Sequence, residues 1–126
     1  MIVGIGVDLV ATARIERAWN RFGERFAGKI LAAAEHELLK AASNPVAFLA
    51  KQFAAKEAVS KALGTGMGAG VHFRQIIVTR LKSGAPAVEM TGPASARAQS
   101  LGAARCWISI SDEPAQAIAF AVLETA

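Results

Sequence analysis

Residues 45–66 read PVAFLAKQFAAKEAVSKALGTG. Nothing between Pro45 and Leu63 breaks a helix. Asn44 is a good N-cap in front of it, proline suits the first helical position, and Gly64 is a natural residue just past the end. The stretch reads as one long helix around which the rest of the chain is arranged. On a helical wheel Phe53, Glu57 and Lys61 stack at i, i+4 and i+8, with Ser60 beside them. A glutamate–lysine pair alone is an ordinary solvated pair worth ~0.3–0.5 kcal/mol. The aromatic on the same stripe and the bare loop that follows, GTGMGAG at 64–70, set this one apart.

Glycine allows a ligand to approach the backbone closely. Phosphate cradles, however, sit at helix N-termini, and this loop follows a C-terminus, where the dipole disfavours an anion. The P-loop pattern is absent. Residues 64–69 meet the relaxed GxGxxA form, but after a helix rather than a strand. A phosphate here needs local cations to offset the dipole, and Lys61 with a glutamate-held divalent ion would supply them.

Outward from this helix, Ile2 to Val7 is short and β-branched and predicts a buried strand. Thr12 is a fair N-cap for TARIERAWNRFGERF, whose Ile15, Ala18, Trp19, Phe22 and Phe26 fall on one helical face. Gly23 weakens that helix by roughly 1 kcal/mol, but the periodicity runs through it. Residues 31–42 predict a second, shorter helix. FRQIIVTRL (73–81) and PAVEMT (86–91) predict two strands joined at Ser83-Gly84. Gly92-Pro93 opens a helix over 94–101 that Gly102 closes. Strands at 106–110 and 117–123 flank Asp112-Glu113-Pro114. The class is α+β, a small, mainly antiparallel sheet packed against one long helix. No repeat or linker divides residues 1–126, which form a single domain.

The length of 126 residues suits one domain with a real core, and the 53% hydrophobic content excludes a disordered chain. Alanine supplies much of that content, so the core is thin and pairing with other subunits would bury more. A net charge of +4 and a pI near 9.7 point to an anionic partner without choosing among kinds. The single cysteine, Cys106 in CWISI, excludes an intrachain disulfide and a four-cysteine zinc site, and fits a buried strand position. Asp8 interrupts the apolar start and no basic region precedes it, so we expect no signal peptide, no membrane span and a cytoplasmic protein.

Asp8, at the exit of the first strand after Gly4 and Gly6, is either a turn-capping aspartate or a hard oxygen ligand for Mg²⁺. Sequence spacing does not place it next to Glu57. Arg14, Arg17, Arg21 and Arg25 occupy an arc of about 80° beside the apolar face of the first helix. They read as a solvated edge, or as a stripe for an acidic helix or a phosphate backbone. His36 and His72 form no metal-ligand pair. No serine or cysteine is set up as a nucleophile, and Ser109 and Ser111 of ISISDE read as strand residues.

Two motifs, GIGVDL at 4–9 with Arg14 beyond and FAAKEAVSKALGTG at 53–66, resemble the signatures of holo-(acyl carrier protein) synthase, the small phosphopantetheinyl transferase family. The SISDE strand and the turn from Gly84 to Pro86 match as well, so the resemblance covers the whole chain in order. It implies a 4′-phosphopantetheinyl transferase-like fold. It implies transfer of 4′-phosphopantetheine from coenzyme A to a serine of apo acyl carrier protein, with Mg²⁺ required, adenosine 3′,5′-bisphosphate released, and a place in fatty acid biosynthesis. It implies a homotrimer with coenzyme A in clefts between subunits.

Carried onto this chain, Asp8 and Glu57 are the metal ligands and, with Lys61, the catalytic set. Lys61 touches the cofactor phosphates. Gly64, Thr65 and Gly66 line the cofactor cleft with Phe53, Ser109 and Ser111. Arg14, Arg21 and Arg25 meet the acidic helix of the carrier protein. Glu57 is the candidate acceptor of the serine proton.

Two positions depart from the family pattern. Gln52 stands where many members have an arginine, so a cofactor-phosphate contact is either missing or supplied by Lys51. Asp112 stands where some have histidine. The rival readings are a small basic nucleic-acid-binding domain using the arginine stripe, and a coenzyme A-binding module without activity. A lack of tyrosine and of any stacking platform counts against the first.

Overall fold

The computed structural model describes all 126 residues. The order is β1 (Ile2–Ala11), α1 (Thr12–Phe22), α2 (Glu24–Ile30), α3 (Ala33–Ala41), α4 (Pro45–Ala62), a 3-10 turn (Phe73–Gln75), β2 (Ile76–Arg80), β3 (Pro86–Met90), α5 (Gly92–Ser100), β4 (Arg105–Glu113) and β5 (Gln116–Glu124). The α+β expectation holds. One antiparallel sheet runs β1-β5-β4, and β2-β3 form a separate antiparallel hairpin.

The long helix forms much as its sequence dictates. Asn44 Oδ1 accepts from the Ala47 amide at 3.0 Å, and Gly64 takes a left-handed φ of 80° just beyond the end. Helix α4 is apolar nearly all round because it is enclosed, crossing β1 and β5 on one side and meeting α1, α2, α3 and β2 on others. Alanine sets how near the sheet comes. Ala117, Ala119 and Ala121 of β5 are fully buried beneath it, as are Ala54 and Ala58 of α4.

Three expectations about boundaries are corrected. Gly23, with a φ of 53°, ends the first helix, and its amide returns to the Trp19 carbonyl at 2.8 Å. The apolar periodicity therefore spans two helices. Thr12 lies inside α1, whose cap residue Ala11 offers no side-chain bond. The first strand runs on to Ala11, so Asp8 lies within the strand and not at its exit.

The strand alternation leaves one sheet face bare. Ile5, Val7 and Leu9 of β1, Ile118 and Phe120 of β5, and Trp107 of β4 are all exposed large apolar residues. Direct pairing of Val7 with Phe120 and of Leu9 with Ile118 puts them on one surface. The other face of the same strands carries the alanine core.

Sequence reading missed a buried polar network. Glu35 and Lys56 are both wholly excluded from solvent and pair at 2.6 Å. Lys56 also donates to the carbonyls of Ile76 (2.7 Å) and Phe73 (3.0 Å). Glu35 accepts from Gln52 (2.7 Å), the Val78 amide (3.2 Å) and the Ala32 amide (2.8 Å). Gln52 in turn donates to the Val78 carbonyl at 2.9 Å. Side chains thus close the edge of β2 that no strand covers. Burial lowers the Lys56 ammonium below the usual lysine value, and Glu35 works against that shift.

Breaking such a pair leaves a lone buried charge, a cost of ~3–5 kcal/mol for Glu35→Gln or Lys56→Met in urea unfolding. Buried ion pairs are often replaceable by apolar residues without loss. This one also serves backbone groups, each worth about 1–3 kcal/mol when orphaned. The double variant Glu35→Leu/Lys56→Met is therefore expected to remain less stable than wild type. Equal stability would show that the β2 edge does not depend on the pair.

Candidate active site

The inward face of β1 carries Gly4, Gly6, Asp8 and Val10 in alternation. A Cβ at Gly4 would overlap the Ala62 carbonyl oxygen, and one at Gly6 the Ala58 carbonyl oxygen. The strand backbone therefore rests directly on α4, and Asp8, two residues beyond Gly6 on the same face, arrives beside the helix. Lys61 Nζ donates to Asp8 Oδ1 at 3.0 Å and to the Val7 carbonyl at 3.0 Å. Glu57 lies one turn back along α4. Partial burial lifts its carboxyl above the usual glutamate range, the charge of Asp8 raises it further, and Lys61 and Arg14 pull it down. The fold thereby answers what spacing could not, bringing Asp8, Glu57, Lys61 and Arg14 into one electrostatic neighbourhood.

The Arg14 guanidinium stands 5.1 Å from the centre of the Phe53 ring, and that ring stacks on Phe73 at 5.3 Å. Phe53 is therefore at the site, but with its ring largely covered. The chain holds no cluster of three or more His, Cys, Asp or Glu side chains. Two carboxylates suit Mg²⁺, which commonly takes one or two and fills its other places with water and substrate phosphate oxygens. Their mutual repulsion is itself relieved by a cation between them.

The glycine loop begins where Lys61 ends its turn. The Gly64 amide returns to the Lys61 carbonyl at 2.9 Å and the Gly66 amide to the Ser60 carbonyl at 3.0 Å. Thr65 Oγ1 donates to the Gly66 carbonyl at 2.8 Å. Gly64 and Gly66 take φ values of 80° and 58°, which a side chain would resist.

Other expected site residues do not gather here. Ser109 pairs with Phe120 and Ser111 with Ile118, so both serines lie on the bare apolar face, opposite Asp8. Gln52 is buried against Glu35 and Val78 and does not occupy a surface from which a phosphate could be reached. Of the four arginines, Arg14, Arg17 and Arg21 lie on α1 and Arg25 lies on α2, beyond the turn at Gly23. Arg14 goes to Phe53, whereas Arg21 and Arg25 stand 5.1 and 5.7 Å from the exposed Phe22 ring. Cys106 is half-buried, and burial pushes its thiol up to about 11, as expected of a structural cysteine.

Known proteins share this arrangement of chain. A sequence model of the 4′-phosphopantetheinyl transferase superfamily matches residues 4–122. Holo-(acyl-carrier-protein) synthases of Maridesulfovibrio salexigens and Halorhodospira halophila are each 48% identical, over 98% and 99% of this chain and 99% of each relative. The crystal structure of the holo-(acyl-carrier-protein) synthase of Neisseria meningitidis superposes with a TM-score of 0.91 at 44% identity, covering 99% of this chain and all of that one. The Bacillus anthracis enzyme, solved in complex with CoA (3′,5′-ADP), gives 0.83 at 35% identity over 100% of this chain and 99% of that chain.

The raised carboxyl of Glu57 has a consequence for stability. A carboxyl whose folded value lies above its ordinary value of 4.5 stabilises the fold fully below that value, and the contribution is lost as pH rises through the folded value. Charged Glu57 therefore works against folding at neutral pH. In buffer without divalent cations, Glu57→Gln is expected to melt above wild type at pH 7, with the gap closing as pH falls towards 4.5. A variant that melts below wild type at pH 7 would contradict this.

Proposed function

The chain belongs to the 4′-phosphopantetheinyl transferase superfamily, among the holo-(acyl-carrier-protein) synthases, and we propose that it moves 4′-phosphopantetheine from coenzyme A to a serine of apo acyl carrier protein. The observation that carries this reading is the convergence of Asp8, Glu57 and Lys61 beside a loop of bare backbone. The carrier's serine oxygen bonds to the phosphorus of the phosphopantetheine phosphate. The phosphoanhydride bond breaks, and adenosine 3′,5′-bisphosphate leaves. Phosphoryl transfer of this kind depends on positioning and charge stabilisation, and the nucleophile belongs to the carrier.

Asp8 and Glu57 would hold a Mg²⁺ ion, which supplies positive charge to the phosphates as they react. Lys61, fixed by Asp8 and the Val7 carbonyl, directs its ammonium along the same face of α4 and adds a second cation. Gly64 and Gly66 leave the cofactor room against the backbone, with Thr65 bonding within the loop. Glu57 is also the carboxylate we assign to take the serine proton.

Arg21 and Arg25, gathered on exposed Phe22, form the docking patch for an acidic helix of the carrier, with Arg14 at its edge nearest Glu57. The bare face with Ile5, Val7, Leu9, Ile118 and Phe120 supports assembly with further copies, read as a homotrimer. Ser109 and Ser111 share that face and would then serve the cleft of a neighbouring copy. The setting we propose is the cytoplasm and fatty acid biosynthesis.

Incubation with apo acyl carrier protein, coenzyme A and Mg²⁺, followed by mass spectrometry, tests the reading. Each carrier is expected to gain one phosphopantetheine. Glu57→Gln should retain its circular dichroism and lose turnover. No gain with any carrier tried would reject the function.

A further inference from the structure

Helix α4 carries partial negative charge at its C-terminal end. Arg97, in the last turn of α5, meets it: its Nε donates to the Leu63 carbonyl at 2.8 Å. A Cβ built on Gly64 would stand 3.4 Å from Arg97 Nη2, so the half-buried guanidinium lies alongside the Gly64 backbone. The chain's four ion pairs do not include Arg97.

Helix α5 also backs the far end of the loop. Gln75 donates to the Gly70 carbonyl at 2.9 Å and accepts from the Ala94 amide at 3.1 Å. A Cβ on Gly70 would meet Pro93 at 3.4 Å. The loop is thus held at both ends by one helix, with an arginine at the end next to Lys61.

We propose that Arg97 is a phosphate-binding residue of the coenzyme A cleft, its Nε anchoring the end of α4 and its Nη groups facing a phosphate seated at Gly64–Gly66. The identity of the ligand rests on the function proposed above. The need for the residue comes from the dipole. An anion at a helix C-terminus requires compensating cations, and the Lys61 ammonium is already shared with Asp8. Arg97 is a cation at the loop that no carboxylate holds, and its planar fork can bond the carbonyl and a phosphate together.

Initial rates at varied coenzyme A, with titration calorimetry of coenzyme A and of adenosine 3′,5′-bisphosphate, compare wild type with Arg97→Gln and Arg97→Lys. Arg97→Gln keeps a donor for the Leu63 carbonyl and loses the charge. It is expected to raise KM and Kd for coenzyme A about tenfold, the worth of one charge-assisted hydrogen bond, while kcat falls much less. Arg97→Lys should recover part of the loss. Coenzyme A binding equal to wild type in Arg97→Gln overturns the inference, as does a fall in kcat at unchanged KM shared by both variants, the mark of a structural clamp. Wild type that binds no coenzyme A overturns the functional reading and the inference with it.

Discussion

The approach of β1 to α4 is the constraint on which the rest depends. Gly4 and Gly6 touch the helix backbone at Ala62 and Ala58, and any side chain there would overlap a carbonyl oxygen. Alanines on the facing side of α4 and along β5 keep the layers near each other. Asp8 reaches Lys61 only because the layers lie so close. Small residues thus set the electrostatics of the site. The same choice makes the core thin and puts the larger apolar residues of β1 and β5 on the opposite face, which one chain leaves uncovered.

Adjacent residues of α4 do opposite work. Lys56 points inward, where Glu35 and two carbonyls satisfy it, and it locks the β2 hairpin to the helix. Glu57 points to the edge, close to another carboxylate, and is held in a state unfavourable for folding at neutral pH. The first is a group whose needs the fold meets. The second is one whose needs the fold leaves unmet, the pattern expected where stability has been given up for chemistry.

Much of this was legible in the residues. The caps at Asn44 and Gly64 fixed the long helix, turn chemistry placed the hairpin at Ser83-Gly84, and the family motifs marked Asp8, Glu57 and Lys61. The periodicity through Gly23 misled, because an apolar face persists across a turn when both helices pack on one core. Ser109 and Ser111 could be placed on a strand but not on a face, since the register with β5 is set by long-range pairing. Gln52 was legible only as a departure from the family's arginine, and Glu35 carried no signal at all. Only the exposed edge of β2, invisible in one dimension, explains why they are buried. Arg97 carried no signal, because its meaning lies in a carbonyl 34 positions away.

The central claim is that this close packing puts Asp8 and Glu57 on one divalent cation. Crystals grown with coenzyme A and Mn²⁺ in place of Mg²⁺ test it by anomalous scattering. The account predicts a single peak within coordination distance of both carboxylates and of a cofactor phosphate, near the roughly 2.0–2.1 Å typical of Mg²⁺. A peak held by neither carboxylate, or two carboxylates turned to separate partners with the cofactor bound elsewhere, would contradict it.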